Sequence, residues 1–207
     1  RVVPDLFDLA FARTGIEDMD GIPIVSLRDP AITPFRRAIK RIFDLIVASL
    51  TLIICIIPMA LIAFAIRRDS TGPALYRQQR IGENGKLFRM LKFRTMIDGA
   101  GDQLPDFIEK QTNGDVIFKR RDDPRITHVG RWLRQFSLDE LPQLINVLTG
   151  EMSLVGPRPE LPGLVAEYAP WQLKRFNVPQ GMTGWWQVNG RSEKPTLAKT
   201  RDDLYYI

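Results

Sequence analysis

Residues 45–66, LIVASLTLIICIIPMALIAFAI, run for 22 positions without a charged side chain. At the rise of an α-helix that is the length needed to cross the hydrocarbon of a bilayer, so a lipid-facing segment is the first expectation. The competing reading is a wholly buried core helix. It is the weaker one, because globular helices seldom exceed ~20 residues and usually keep a polar face. Here Ser49 and Thr51 are the polar positions. The flanks say more than the run itself. Arg36, Arg37, Lys40 and Arg41 precede it and Arg67 and Arg68 follow it, so the bias of Lys and Arg toward the cytoplasmic side applies at both ends. Pro58 lies inside, lacks an amide hydrogen and clashes with the preceding turn. A helix that enters the bilayer, breaks at Pro58 and returns satisfies both signals, whereas a kinked crossing span satisfies only the second. Carbonyls freed near Ile54 then need partners, and Ser49 and Thr51 lie too early to supply them. Cys55 is expected to be inert packing.

The whole chain has 207 residues, enough for one or two domains with a real core. Its 29 Lys plus Arg outnumber 24 Asp plus Glu, a formal charge of +5 that favours nucleic acid, anionic lipid or phosphorylated metabolites as partners. Basic residues stand next to aromatics in KLFRMLKFR, but no helix-turn-helix, zinc-finger or RNA-recognition pattern accompanies them, and nucleic acid is set aside. One cysteine excludes an internal disulfide framework and a multi-cysteine zinc site. The single His128 makes a histidine triad or metal cage improbable and reads as a surface or loop residue. No basic stretch precedes a short apolar one at the start, so no signal peptide is expected, and the chain reads as part of a longer one.

Residues 1–35 contain the strand-like GIPIV and then Asp29-Pro30 and Thr33-Pro34, which read as a linker. After the apolar run, Asn84-Gly85 separates two stretches of mixed apolar and basic residues, the commonest short signal for a β-hairpin. Its strands contribute Arg77, Arg80, Lys86, Arg89, Lys92 and Arg94, each read first as a solvated basic face or a headgroup contact. Residues 98–115 are polar, rich in Gly and Pro, and read as a mobile loop.

The densest chemistry lies in 130–160. Leu141, Leu144, Ile145 and Leu148 have helical spacing, and Gly150 is placed to close that helix. Ser137-Leu138-Asp139-Glu140 matches a capping box, but with Ser137 as the cap Pro142 would cost a backbone bond; Asp139 is therefore the favoured cap. Adjacent carboxylates at such a positive helix end suit a magnesium-assisted reaction on phosphorus, one attacking and the other holding the metal. Acids in a first helical turn are commonplace as caps, so the pair alone is a weak signal. Arg134, five residues earlier, and Arg158, in a Gly-Pro-Arg-Pro turn, strengthen it, since guanidinium groups grip phosphate oxygens through two parallel bonds.

The stretches SLDELPQL, NVLTGEMSLVGPRP and GMTGWWQVNGR, behind a basic-flanked apolar helix that begins KRIFD, closely resemble the bacterial sugar transferase family. These are monotopic phosphoglycosyl transferases, which move a sugar phosphate from a nucleotide diphosphate sugar to a polyprenyl phosphate. The resemblance covers about residues 36–207. It implies an α+β, mainly helical, membrane-associated catalytic domain over 73–207, a Pro-broken re-entrant helix over 36–72, and a tail of an upstream nucleotide-binding-like domain over 1–35. A longer parent with spanning helices before residue 1 and further chain after Ile207 follows from the same likeness. It also implies that Asp139 is the nucleophile, that Asp139 and Glu140 bind Mg2+, and that Arg134 and Arg158 hold the donor phosphates. Lys92, Gln187 and Arg191 would line the nucleotide-sugar site. The implied donor is a UDP-hexose and the acceptor undecaprenyl phosphate, feeding exopolysaccharide or O-antigen synthesis at the cytoplasmic face of the bacterial inner membrane, with homodimerisation plausible. One departure is visible: relatives often break the membrane helix at Ser-Pro, and here Ile57 precedes Pro58. Trp171, Trp185 and Trp186 are interface anchors or core packing with equal warrant. A catalytically silent scaffold of a polysaccharide assembly complex and a transmembrane binding protein are the alternatives; the intact Asp139, Glu140, Arg134 and Arg158 speak against the first.

Overall fold

A computed structural model describes residues 32–100 and 123–188, Asp203, and four short strands outside those ranges. Strand β1 (Ile16–Met19) pairs antiparallel with β2 (Ile22–Val25), so Ile22–Val25 of the strand-like stretch form a strand as expected. Helix α1 then runs over Pro34–Asp69, 36 residues. It begins with Pro34 in its first turn, where a missing amide hydrogen costs nothing, and ends with Arg67 and Arg68 in its last turn, where they complement the helix dipole.

Helix α1 continues through Pro58 as one helical element. An interior proline costs ~3 kcal/mol, but burying a Leu, Ile or Met side chain returns about 1.5–3 kcal/mol each. Helix α1 sets several such side chains against the body on either side of Pro58. Ala48 and Leu52 pack with Phe88, Met90, Leu144, Val147 and Met152; Met59, Ile62, Ala63 and Ile66 pack with Ala74, Phe93 and Leu133. Both halves of the helix therefore rest on the same globular body. The opposite face stays open along its length, with Ile39, Phe43, Ile46, Leu50, Ile53, Ile57, Leu61 and Phe64 all more than half exposed. A stripe of that extent at helical spacing is a lipid-facing surface, and it associates the chain with membrane.

The body is α+β, as expected. Strands β3 (Leu75–Ile81) and β4 (Leu87–Phe93) form the antiparallel hairpin, with Leu75 opposite Phe93 and Ile81 opposite Leu87. Its tip takes left-handed conformations at Asn84 (φ 55°) and Gly85 (φ 73°), the residues that tolerate them. Two-residue strands β5 (Glu109–Lys110) and β6 (Val116–Ile117) pair antiparallel; the rest of the expected polar loop lies mostly outside the described residues. There follow α2 (His128–Gln135), α3 (Gln143–Thr149) and β7 (Ser153–Val155), which pairs in parallel with β8 (Gly181–Thr183). Single turns α4 (Pro162–Val165), α5 (Pro170–Leu173) and α6 (Trp185–Val188) complete the described chain. His128 is exposed at the start of α2, as expected. Trp171 and Trp185 are both part-exposed.

Polar side chains hold these pieces in register. Buried Asn146 of α3 accepts from Leu91 N–H and donates to Arg89 O, both at 2.9 Å, so α3 docks on the edge of β4 with its backbone satisfied. Arg41 of α1 donates to Val147 O (2.6 Å) and Leu148 O (2.9 Å), supplying the free carbonyls at the end of α3 with a cation. Arg94 does the same at the end of α1, donating to Ser70 O at 2.9 Å and to Thr71 O. Of the hairpin's basic residues, then, Arg94 is an internal tie, whereas Arg77, Lys86 and Arg89 are exposed.

Candidate active site

Ser137 adopts a left-handed conformation (φ 58°, ψ 22°), and Leu138–Glu140 follow as a tight 3-10 turn closed by Glu140 N–H to Ser137 O and Leu141 N–H to Leu138 O, both 3.3 Å. Helix α3 starts only after Pro142. The expected cap at Asp139 is therefore corrected: neither Asp139 nor Ser137 caps α3. Pro142 itself occupies the cap position with helical angles (φ −61°, ψ −18°), and having no N–H it needs no capping partner there. The acid pair sits instead on a rigid turn whose Leu141 packs into both core clusters.

Basic side chains reach this turn from three elements. Lys92, from β4, places Nζ 3.6 Å from Glu140 Oε1. Arg158 comes from the loop after β7 and forks onto Glu140, with Nη1 3.0 Å from Oε2 and Nη2 on Oε1, while Nη1 also reaches Met182 O at 3.3 Å. That loop approaches β8 so closely that a Cβ on Gly181 would stand 2.1 Å from Gly156 N. Glycine at the crossing lets Gly156 N–H reach Thr183 O (2.9 Å) and Gly181 N–H reach Pro157 O (2.8 Å). Arg134 extends from α2 and donates through Nε to Thr95 Oγ1 at 2.8 Å. Helix α2 sits there because Gly130, whose Cβ would lie 2.1 Å from Thr95 O, permits near-contact with the chain after β4.

The two carboxylates end up in unlike environments. Burial pushes Glu140 up, but the hydrogen bonds and charge of Arg158, with Lys92, hold it down at about 2. Asp139 moves the other way: burial raises it, the neighbouring Glu140 charge raises it further, and Lys92 and Arg134 only partly counter this. Among the described residues, Arg158 and Lys92 pair with Glu140 and not with Asp139. Lys92 is lowered to about 8, chiefly by burial and then by the Arg158 charge, with Glu140 and Asp139 opposing.

Of the residues singled out from sequence, Asp139, Glu140, Lys92, Arg134 and Arg158 come together, and Gln187 lines the same open groove as Glu140. Arg191 lies outside the described residues. Arg158 is engaged by Glu140, so a phosphate arriving there meets a guanidinium already in an ion pair. Thr95 and Arg175 were not anticipated. Arg175 is 1% exposed and lies beneath the Arg158 loop, donating to Arg158 O at 2.9 Å and pairing with Glu160 (3.5 Å) and Asp203 (2.6 Å). A Lys-Arg pair in sequence reads as solvated surface, so nothing marked it.

The described residues contain no group of three potential metal ligands. A pair of acids nevertheless fits Mg2+, which typically takes one or two carboxylates and completes its shell with water and substrate phosphate. The mutual repulsion that raises Asp139 is also what a divalent cation offsets.

A lipid-facing helix carrying a small α+β body, with an uneven carboxylate pair ringed by Lys92, Arg134 and Arg158, defines a membrane-associated domain suited to anionic substrates. The chain belongs to the bacterial sugar transferase family, whose pattern matches residues 35–207. It is 38% identical over 214 residues to the UDP-glucose:undecaprenyl-phosphate glucose-1-phosphate transferase of Escherichia coli K12, covering all of this chain and 44% of that protein. It is 40% identical over 175 residues to the undecaprenyl-phosphate galactose phosphotransferase of Salmonella typhimurium, 83% of this chain and 37% of that one. The exopolysaccharide production protein ExoY of Sinorhizobium fredii is 37% identical over 182 residues, 86% of this chain and 80% of that protein. The chain spans less than half the length of the first two relatives.

Proposed function

We propose that this chain is the catalytic part of a polyprenyl-phosphate hexose-1-phosphate transferase that works through a covalent aspartyl phosphosugar. The observation that carries this reading is the division of labour between the carboxylates. Glu140 is committed to Arg158 and Lys92, whereas Asp139 is left outside those pairs and made more basic by burial. A nucleophile has to be uncommitted, and a raised carboxylate is the better nucleophile of the two.

In the first step an oxygen of Asp139 forms a bond to the sugar-bearing phosphorus of a UDP-hexose as the bond to the uridine monophosphate oxygen breaks. In the second, an oxygen of the polyprenyl phosphate attacks the same phosphorus and the aspartyl bond breaks, restoring the carboxylate. Arg134 and Lys92 offset the negative charge that gathers when a carboxylate approaches a diphosphate, and Glu140 holds Arg158 and Lys92 in place for it. Mg2+ held by Asp139 and Glu140 would supply further charge neutralisation at the phosphates. Helix α1 would lie with its open stripe in the lipid and both ends on the cytoplasmic side of the inner membrane. Its basic ends and its packing on one body by both halves support that placement.

The full chain in lipid nanodiscs, given UDP-glucose or UDP-galactose, undecaprenyl phosphate and Mg2+, is expected to release uridine monophosphate and form a lipid-linked hexose phosphate. Release of uridine diphosphate instead would mean transfer of the sugar alone, and the proposal would fail. The pH dependence offers a second check. Lys92 loses its ammonium charge as pH rises through about 8, so donor kcat/KM of the wild type should fall along that limb. Lys92→Arg, which stays charged, should move the fall to higher pH. Alkaline unfolding does not mimic this. With its folded value below the ordinary lysine value, Lys92 makes folding more favourable, not less, as pH rises from about 8 toward 10.5.

A further inference from the structure

We infer that the open groove of about 580 Å3 between α1 and the β7/β8 pair seats the first isoprene units of the acceptor lipid, carrying its phosphate to the acid pair. The inference rests on the polyprenyl phosphate reading above and adds where that lipid lies. One wall is Phe43 and Val47, one turn apart on α1 and continuous with its lipid-facing stripe through Ile46 and Leu50. The rest of the lining is the apolar Leu141, Leu154, Val155 and Met182 together with the polar Ser137, Thr183 and Gln187, and it includes Glu140 of the acid pair. A ligand fitting this lining has an apolar body continuous with the lipid and a head that reaches Glu140, where Lys92 and Arg158 gather positive charge on that carboxylate, which is the chemistry of a polyprenyl phosphate.

The walls are fixed to one another before any ligand arrives. Asp44, adjacent to Phe43 and 3% exposed, accepts from Ser153 Oγ at 2.6 Å and from Leu154 N–H at 3.2 Å. A buried carboxylate is costly unless bonded in this way, so α1 cannot slide along β7 without stranding it. The groove is therefore a built feature joining the bilayer to the catalytic turn.

The test compares acceptor and donor kinetics in nanodiscs for wild type, Val155→Trp, which fills the groove, and Phe43→Ala, which strips one wall without adding bulk. Both variants are expected to raise KM for undecaprenyl phosphate at least tenfold while leaving KM for the UDP-sugar within about twofold. Val155→Trp should also narrow the preference of the enzyme for the long lipid over a water-soluble short-chain polyprenyl phosphate. A rise in donor KM with acceptor KM unchanged would assign the groove to the nucleotide and overturn the inference. So would two variants with wild-type values for both, which would leave the groove as mere contact with bulk lipid. Wild type that makes no lipid-linked product would instead reject the parent reading, a result visible without any variant.

Discussion

Asp139→Asn is expected to lower turnover by at least about four orders of magnitude, the scale on which removal of a covalent nucleophile acts. It should also abolish the hexose-phosphate adduct on the peptide containing residue 139 when the enzyme is denatured during turnover and its mass measured. The variant keeps the size of the side chain and removes its charge. Because burial and the Glu140 charge raise Asp139, the folded state holds its carboxylate less well than the unfolded chain does. Ionised Asp139 therefore destabilises the fold above its ordinary titration range, and the Asn variant should melt at the same temperature as wild type or higher. A dead enzyme that is at least as stable separates chemistry from folding. Glu140→Gln provides the contrast: it should lose much of its rate, keep a measurable adduct on Asp139, and melt lower, because Arg158 and Lys92 lose their shared partner. An adduct persisting in Asp139→Asn, or product accumulating without one in wild type, would sink the covalent route.

The features legible in the sequence were those written in local pattern. An uncharged run longer than a globular helix tolerates needs a lipid face; Asn84-Gly85 accepts the left-handed tip of a hairpin; adjacent acids flanked by Arg134 and Arg158 form a charge pattern suited to phosphate. What escaped depends on contacts between residues far apart in the chain. Arg41 looks like one more basic flank of the apolar run, and Arg94 like a solvated or headgroup-facing residue, until their carbonyl partners at 147–148 and 70–71 are in view. The cap assignment failed because Pro142 can begin α3 unaided, so the acids before it were released to a separate turn. Arg175 shows the same limit most sharply. Its burial beneath the Arg158 loop depends on Glu160 and on Asp203, 28 residues further along the chain, and nothing within its own neighbourhood in sequence announces either.

Arg158→Ala is expected to cost about 10²–10³ in turnover, the usual effect of losing one charge-stabilising group at a reacting phosphate or oxyanion. It should also lower stability by about 2–4 kcal/mol, because Glu140 keeps only Lys92 at 3.6 Å and becomes a half-buried, under-compensated carboxylate. Glu140 should then titrate well above its wild-type value of about 2, so the stability that wild type loses as pH falls from the ordinary glutamate range toward 2 would be largely absent in the variant, whose melting temperature should depend less on acidification. Two roles for Arg158 are compatible with these losses: holding Glu140, or binding donor phosphate as well. The double variant Arg158→Ala/Glu140→Gln distinguishes them. If Arg158 acts only through Glu140, the double variant should recover most of the stability lost in Arg158→Ala and match Glu140→Gln in donor KM. If it also grips phosphate, donor KM should stay several-fold above that of Glu140→Gln even though stability recovers. The second outcome is expected, because a guanidinium has five N–H donors and the fork onto Glu140 with the contact to Met182 O leaves some for a phosphate oxygen. Arg158→Lys should restore the stability only in part, since an ammonium cannot reproduce the two parallel bonds, and it should leave turnover closer to the Ala variant than to wild type.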